Sequence, residues 1–599
     1  MRGSSYATMA AAHAVWSCRE LVDEILNHLA PLTKEDIKQT AKGFQSRLRL
    51  SRSQCMKTLA RLCRTCKTLS EPATAVLWRR LNKLDPFMRL FSQVQKQMDA
   101  GRRSEKFVLH EAIPDAEWAR FQHYAQHLRE LYDGGDPRRH IYPRATWTQL
   151  GARADGRPLF PRLRCLWSLQ VDSAGILELP LLSPSVRNLS VVIQDHTVHH
   201  EPELIQRALQ TVRQTVLHLE HLSLKCDEGN AFRGLSTAAS SFLTFKDVRS
   251  LVLDGNLTVD RAIFAGFCQF TALEHLSVTL YITDGERGPL DFGSFPSLRK
   301  ACIRGPPDDL ARFFAGVSLP ALRKLSLDFS TDPAEAVLLA SVASIFDAVP
   351  SGITHLEIKR LRRARWFVPR SDEERRPRPH TLMPIIKPAM RLRALARVSI
   401  DFTFVPSVTD ADIARMLEAW PALTELAIHY GGRGDDDFEL GRPTAATLLA
   451  VATRSPKLVS LTLPDTDLRN AGSVLPALPF PEHGLETLFL GSGIRIKRDE
   501  QFLRAALLID RLFPYLRLPE DPMVYSEHYG ELERYLKAMQ AGRVHAAFAD
   551  ELEPGSCVEM YHLTPKHTYT IHERVGDGVI RETEPYSRNS TPDESIWDW

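Results

Sequence analysis

The sequence contains no long apolar run and no excess of charge of one sign. Its 76 Lys and Arg residues are balanced by 73 Asp and Glu residues, which gives a formal net charge of +3. Proteins that bind polyanions concentrate basic charge, and a membrane-spanning helix needs about 20 consecutive apolar residues. The first twenty residues also lack the apolar stretch of a secretory signal. We therefore expect a protein of the cytoplasm or nucleus that binds neither nucleic acid nor membranes.

Cysteine is scarce and scattered. The nine cysteines show no spacing typical of a disulfide framework, which fits a reducing compartment. Cys63 and Cys66 form a C-x-x-C pair, but no second pair and no pair of histidines lies at zinc-finger distance. The pair also falls within an amphipathic helical stretch, whereas a redox pair typically opens a helix after a strand. We favour structural thiols over a metal or redox site.

Motifs of the common enzyme classes are missing as well. There is no phosphate-binding loop, nucleophile elbow, zinc-protease helix or kinase signature, so we predict no catalytic residue, cofactor or metal. The histidines at 196, 199 and 200 are interpreted as part of a solvated loop rather than a metal site. Residues 359–380 are basic with an acidic middle, which favours a disordered insertion over a nuclear-localisation or anion-binding signal.

Internal repetition is the strongest positive feature. From residue 161 onward the pattern apolar-x-x-apolar-x-apolar occurs twelve times, as in PALRKLSLDF and PALTELAIHY, with 23 to 42 residues from one repeat to the next. This alternation predicts a short strand with one buried face, and several stretches between the repeats have helical spacing. In six repeats a proline precedes the first apolar position by two residues and marks the change from helix to strand. These prolines are Pro161, Pro184, Pro296, Pro320, Pro421 and Pro456.

Two fold classes place strands and helices in alternation at this spacing. A doubly wound α/β domain would have strands that are apolar on both faces and a glycine-rich phosphate turn. Here the alternate strand positions are polar or small, and that turn is missing. The repeats therefore resemble the leucine-rich-repeat family in an irregular form, although Asn256 alone matches the asparagine that the family places after its strand. The predicted fold is an irregular α/β repeat solenoid.

Residues 16–86 differ from the repeats and predict three helices. The first has Leu21, Val22, Ile25, Leu26 and Leu29 on one face, and Ser17 with Glu20 has the spacing of a capping box. The second covers residues 56–69 and includes both cysteines. The third follows Ser70 as N-cap, with Pro72 in its first turn.

This stretch resembles an F-box, the three-helix module that attaches a substrate receptor to a cullin-type ubiquitin ligase. The resemblance lies in Glu20-Leu21, Ile25-Leu26, the Cys63-Arg64 pair and the run Leu77-Trp78-Arg79-Arg80. CRTCKTLSEPATAVLWRRLNKLDPF is especially similar to F-box proteins that fungi carry with divergent leucine-rich repeats. The resemblance implies docking to a Skp-type linker subunit and, through it, to a cullin. The residues that either dock or form the core of the module are Leu21, Ile25, Leu29, Leu62, Cys63, Leu77 and Trp78.

A solenoid offers the outward side chains of its strands as a concave binding face. The middle outward positions are mostly small, and the flanking ones are mildly basic in the central repeats. We expect this face to bind an acidic or phosphorylated segment of a target protein. The candidate residues are His221, Lys225, Lys300, Arg304, Lys324, Lys359 and Arg397.

The predicted organisation is a helical F-box-like module at 16–86 and a helical or loop connector at 87–158. A solenoid at 159–495, a capping helix at 496–520 and a partly disordered extension at 521–599 follow. The function we expect is that of a non-catalytic substrate adaptor of a cullin-type (SCF) ubiquitin ligase. The alternative is a leucine-rich-repeat scaffold for protein interactions in which the N-terminal helices only cap the solenoid.

Overall fold

The structure is a computed structural model of the whole chain. It divides into two compact units, residues 1–539 and 540–599. The described residues are 18–30, 52–99, 104–109, 111–132, 142–172, 175–176, 179–193, 203–226, 242, 244–254, 257–259, 261–282, 291–331, 335–360, 382–402, 407–430, 441–474, 483–491, 494–496, 499–518, 527–551, 573–575 and 579–581. The histidines at 196, 199 and 200, Asn256 and residues 361–380 lie outside them.

Three helices precede the repeats: α1 (Arg19–His28), α2 (Arg52–Thr65) and α3 (Lys67–Arg79). The single helix predicted over residues 56–69 is wrong, because the chain breaks at Cys66, which has extended backbone (φ −156°, ψ 158°). Cys66 is the N-cap of α3, so Ser70 is not, and Pro72 lies inside α3 rather than in its first turn. The break allows α3 to turn back and pack along α2, which a continuous helix cannot do.

One long parallel sheet forms the body of the first unit. The twelve predicted strands are all present, and each pairs in parallel with the next in chain order. The prediction of an α/β solenoid is therefore confirmed. The strands are β5 (Cys165–Asp172), β7 (Asn188–Ile193), β8 (His221–Cys226), β9 (Ser250–Asp254), β11 (His275–Leu280), β13 (Lys300–Gly305), β15 (Lys324–Phe329), β16 (His355–Arg360), β17 (Arg397–Phe402), β18 (Glu425–Tyr430), β19 (Ser460–Thr462) and β20 (Thr487–Phe489).

The sheet begins earlier than predicted. Two short strands, β1 (Arg80–Leu81) and β4 (Glu130–Tyr132), pair in parallel with each other and continue into β5. The boundary predicted at residue 159 is therefore too late for the start of the sheet, because strands of two or three residues are too short to show alternation. The remaining short strands are β2 (Val94–Asp99), β3 (Ser104–Leu109), β6 (Gly175–Ile176), β10 (Thr258–Val259), β12 (Gly293–Ser294) and β14 (Val317–Ser318).

Each of the six prolines begins a tight turn four residues before a strand. At Pro320, for example, Leu322 N donates to Leu319 O (3.2 Å), and β15 starts at Lys324. Pro320 therefore occupies the second position of a β-turn, where the fixed φ of proline fits. The same hydrogen bond closes the turns at Pro161, Pro184, Pro296, Pro421 and Pro456. The prolines therefore set where the strands start.

Helices cover one face of the sheet and bury the apolar side of each strand. The first apolar position of every repeat is at most 2% exposed. A cluster of aromatic rings fills the middle of the core, with Phe264 and Phe313 4.7 Å apart. The helices are α4 (Asp85–Met88), α5 (Asp115–Ala125), α6 (Arg144–Ala154), α7 (Glu203–Thr215), α8 (Arg261–Phe267), α9 (Pro307–Gly316), α10 (Glu335–Ala348), α11 (Leu382–Ile386), α12 (Asp410–Ala419), α13 (Ala445–Arg454), α14 (Ala471–Val474), α15 (Asp499–Leu512) and α16 (Glu527–Glu551), with 3₁₀ turns at Leu179–Leu181 and Lys387–Arg391.

The far end of the sheet is closed by two helices. α15 buries Phe502, Ile509 and Leu512. The first part of α16 follows, and Tyr529 donates its hydroxyl hydrogen to Leu488 O (3.0 Å) on β20. The predicted boundary between residues 520 and 521 therefore cuts through this cap.

The described residues of the second unit are the end of α16 and two antiparallel strands, β21 (Glu573–Val575) and β22 (Val579–Arg581). Across the described ranges of the whole chain, no helix is both long and apolar enough to cross a membrane.

Candidate functional site

The sheet face that lies opposite the helices, termed the open face, carries side chains in three rows. The leading row consists of the first residue of each strand, and the middle row lies two residues further along. From β8 to β18, each residue of the leading row lies opposite the next one on the adjacent strand. These residues are His221, Ser250, His275, Lys300, Lys324, His355, Arg397 and Glu425. In the middle row they are Trp167, Ser190, Ser223, Val252, Ser277, Cys302, Ser326, Glu357, Ser399 and Ala427.

A third, trailing row follows two residues beyond the middle row. It alternates in charge along the sheet instead of being uniformly basic. Its members are Lys225, Asp254, Thr279, Arg304, Asp328, Lys359, Asp401 and His429.

A shallow groove of about 410 Å³ lies on the open face across β13 to β19. Its lining comes from the leading and middle rows, including Lys300, Lys324, His355, Glu357 and Arg397. Of the predicted binding residues, Lys300, Lys324 and Arg397 are thus brought together. Arg304 and Lys359 stand beside the groove in the trailing row.

Three of the seven residues of the predicted basic strip already form ion pairs within the fold. Lys300 and Lys324 are exposed and form no ion pair with any described residue. The other three basic residues of the central strands each contact a carboxylate. The pairs are Arg304 Nε with Asp328 Oδ2 (2.8 Å), Lys359 Nζ with Glu357 Oε1 (2.6 Å) and Arg397 Nε with Glu425 Oε1 (3.3 Å). On the central strands the positive charge available to a partner therefore lies on Lys300 and Lys324, and Lys225 adds a further exposed charge on β8.

Glu357 places a negative charge on the floor of the groove. Burial acts to raise the pKa of its carboxyl, but hydrogen bonds from Lys359 and Ser326 (2.7 Å) and the attraction of Lys300 outweigh burial and leave the pKa below its usual value. The carboxylate is therefore charged at neutral pH and interrupts the small side chains of the middle row between Ser326 and Ser399.

An aromatic cluster occupies the beginning of the open face. Tyr132 and Trp167 are stacked with ring centroids 5.9 Å apart, and Trp167 lies 5.2 Å from His221 on β8. Since β7 lies between β5 and β8, the indole passes over β7, where Ser190 is 2% exposed. The pairing of β5 shifts at Trp167, and Ser168 has a positive φ of 81°. This bulge redirects the tryptophan along the sheet.

Two histidines of the leading row, His221 and His275, have lowered pKa values. Burial, followed by repulsion from Lys225, lowers the pKa of His221. Burial, Lys300 and His221 lower the pKa of His275 to about 4, and its Nδ1 shares a hydrogen bond with Ser250 Oγ (3.0 Å). The lowered pKa reduces the positive charge that His221 contributes to the predicted basic strip.

Lys225 and His221 both lie on β8, three strands before Lys300. They do not line the groove. Sequence reasoning missed Tyr132, Trp167 and His275. One signal was available: tryptophan at the middle position of CLWSL interrupts a row of small residues.

The residues predicted to dock or to form the core of the N-terminal module separate by exposure. Leu21 is 47% and Ile25 39% exposed on α1, whereas Leu77 and Trp78 are each 8% exposed. Trp78 stacks on Tyr124 with ring centroids 4.5 Å apart. Leu29, Leu62 and Cys63 are half-buried.

Cys63 and Cys66 have different surroundings. Burial raises the pKa of the Cys63 thiol, whose sulfur accepts a hydrogen bond from Thr74 Oγ1 (3.4 Å). Cys66 is exposed at the helix break. In the part of the chain that the structure describes, no three His, Cys, Asp or Glu residues are grouped as a metal site.

No known protein family matches the sequence, and no curated protein matches it either. Solved structures that match this chain in the structural comparison include an internalin of Listeria monocytogenes. The match covers 63% of this chain and 90% of the internalin, with 11% identical residues and a TM-score of 0.28.

Proposed function

We propose that the protein is a non-catalytic adaptor that binds a target protein on its open face and attaches to a cullin-type ubiquitin ligase through α1 to α3. The attachment would run through a Skp-type linker subunit, in the cytoplasm or nucleus. Its parts are an interaction surface and a docking module, and neither requires a cofactor.

The docking proposal rests on one observation, which is that the apolar residues of α1 differ in exposure. Val22 and Leu26 are each 1% exposed, so they serve the core of the first unit. Leu21 and Ile25, one helical turn apart, remain exposed on the same side of the helix. Exposed leucine and isoleucine one turn apart are typical of a helix that docks to a partner. The resemblance of Glu20-Leu21 and Ile25-Leu26 to the F-box is the reason that we propose the linker subunit as that partner.

The test is co-purification of the full chain with the linker subunit and a cullin. Replacing Leu21→Glu and Ile25→Glu together should abolish capture of the linker, because two charges would be buried in an apolar interface. The matched control replaces Leu217→Glu and Leu503→Glu, which are 68% and 42% exposed elsewhere, and should capture the linker normally. Failure of the wild-type chain to capture the linker, or unaffected capture by the double variant on α1, would refute the docking proposal.

The arrangement of α3 favours a second candidate function. α3 ends at Arg79, and β1 begins at the next residue, Arg80. Trp78 is packed on Tyr124 and Phe87, which belong to the following elements. α2 and α3 would then be the N-terminal cap of a protein-interaction scaffold that has no ligase contact. Binding of a target by a wild-type chain that captures no linker subunit would support this candidate.

A further inference from the structure

The middle row is open between two larger side chains. Trp167 covers its start, and Glu357 interrupts it at β16. Between them lie the partly exposed small side chains of Val252, Ser277, Cys302 and Ser326, one on each of four neighbouring strands, whereas Ser223 is 2% exposed. With about 4.8 Å between strands, this trough is about 14 Å long and accommodates about four residues of extended chain.

The two ends of the trough differ in chemistry. At one end Trp167 and His221 form an aromatic wall, and Lys225 is the charged side chain on the same strand as His221. At the other end Lys300 and Lys324, on adjacent strands, stand in register and form no ion pair with any described residue, although Glu357 attracts Lys300. From His221 to Lys300 there are three steps between strands, which corresponds to about 14 Å or four residues of extended chain.

The amount of charge limits the class of partner. A protein that binds DNA through its phosphates can contact about six to ten of them with basic side chains. Here Lys300 and Lys324 stand beside the trough without an ion pair among the described residues, and Lys225 adds one positive charge on β8. Glu357, Asp254 and Asp328 place negative charges beside them, and Arg304 and Lys359 are already paired with carboxylates. A short acidic stretch of polypeptide matches this distribution, whereas a continuous polyanion would meet these carboxylates.

We propose that the trough binds an extended protein segment that places an aromatic or large apolar side chain against Trp167 and two acidic side chains on Lys300 and Lys324. The spacer between the two parts is about four residues, as set by the number of strands between His221 and Lys300. This assignment rests on the protein-binding half of the proposed function and is independent of any ligase contact.

The experiment is a selection from a displayed library of random twelve-residue peptides on the immobilised full chain. The recovered peptides should be enriched in Asp and Glu pairs, with an aromatic residue about four positions away. The selected peptides should lose binding at least about tenfold to the Lys300→Glu, Lys324→Glu double variant, because charge complementarity is inverted. The control, Lys246→Glu with Lys457→Glu, makes the same change in charge at exposed positions outside the strands and should bind them as the wild type does.

A second arm tests the aromatic wall with one recovered peptide, measured by fluorescence anisotropy. Trp167→Leu should weaken it about tenfold while leaving the loss of affinity with added salt unchanged, since the lysines remain. Trp167→Phe, which keeps an aromatic ring, should restore most of the affinity and serves if the leucine variant does not fold.

Four outcomes would overturn the inference. They are recovery of no peptide, recovery without acidic enrichment, equal binding to the lysine double variant, and tighter binding of a twelve-nucleotide single-stranded DNA through the same lysines. None of them depends on the linker subunit, so they are distinct from failure of ligase docking.

Discussion

At the scale of single residues, His275 shows how the surroundings of a side chain determine its protonation. A histidine at the start of a strand, beside lysines, belongs by sequence to a basic row. In the structure it is half-buried, its Nδ1 is bonded to Ser250, and Lys300 and His221 are the ionisable groups that act on it. A proton on this imidazole is disfavoured by burial and by both neighbours.

This predicts a specific dependence of stability on pH. The pKa of His275 is about 4 in the folded chain, below its ordinary value of 6.5. The unfolded chain therefore takes up the proton first, and the free energy of unfolding falls as pH decreases from 6.5 toward 4. His275→Gln, which stays neutral, should show a smaller loss of stability between pH 7.5 and 5.0 in urea titrations than the wild type.

His429→Gln is the matched control, because His429 is exposed on β18. It should lose stability as the wild type does. An equal loss in the His275→Gln variant would show that the proton on His275 is not disfavoured by the fold.

At the scale of elements, Asp410 links two consecutive helices. It lies in the first turn of α12, and its carboxylate accepts hydrogen bonds from Thr444 N (2.8 Å) and Thr444 Oγ1 (2.7 Å) at the start of α13. It also accepts one from Thr447 Oγ1. A carboxylate between two helix N-termini is further stabilised by both helix dipoles.

Asp410→Asn should therefore lower the free energy of unfolding by about 1–3 kcal/mol, because a charged acceptor is replaced by a neutral one with a single acceptor oxygen. Equilibrium unfolding in urea measures the change. Asp401→Asn, at an exposed position of β17, removes the same charge and should change stability by less than about 0.5 kcal/mol. Equal effects of the two substitutions would contradict the role of Asp410 as a link between helices.

The twelve strands could be predicted because a buried Leu, Val or Ile lies two residues before each strand. Apolar and polar or small residues then alternate within the strand. Arg80–Leu81 and Glu130–Tyr132 could not be predicted, since two or three residues carry no period. The break at Cys66 and the bulge at Ser168 lack the glycine or proline that usually marks them. The unpaired state of Lys300 and Lys324 follows from which rows of neighbouring strands meet, and sequence spacing alone does not give that register.

At the scale of the whole molecule, the last strand needs a cover. An unprotected edge strand offers backbone groups to another chain. Here Tyr529 bonds to Leu488 O and its ring lies 5.3 Å from Phe489, while Leu532 and Leu536 are 2% and 5% exposed. The segment 527–539 is therefore part of the solenoid.

A chain that stops after Leu518 should self-associate, because β20 and the apolar surface beside it become exposed. Light scattering over a range of concentrations measures this. A chain that stops after Met539 keeps the cover and should remain as dispersed as the full chain. If both truncated chains behave alike, the cover of β20 does not prevent association.

The two edges of the sheet differ in how constant their spacing is. From the end of a helix to the next of the twelve predicted strands, the advance ranges from six positions, Thr215 to His221, to thirteen, Val474 to Thr487. From the end of a strand to the next helix, the advance ranges from two positions, Gly305 to Pro307, to twenty-two, Arg360 to Leu382. Insertions and deletions between relatives of this chain would therefore accumulate at one rim. The residues of the open face would keep their neighbours, so binding specificity can evolve by substitution while chain length varies independently.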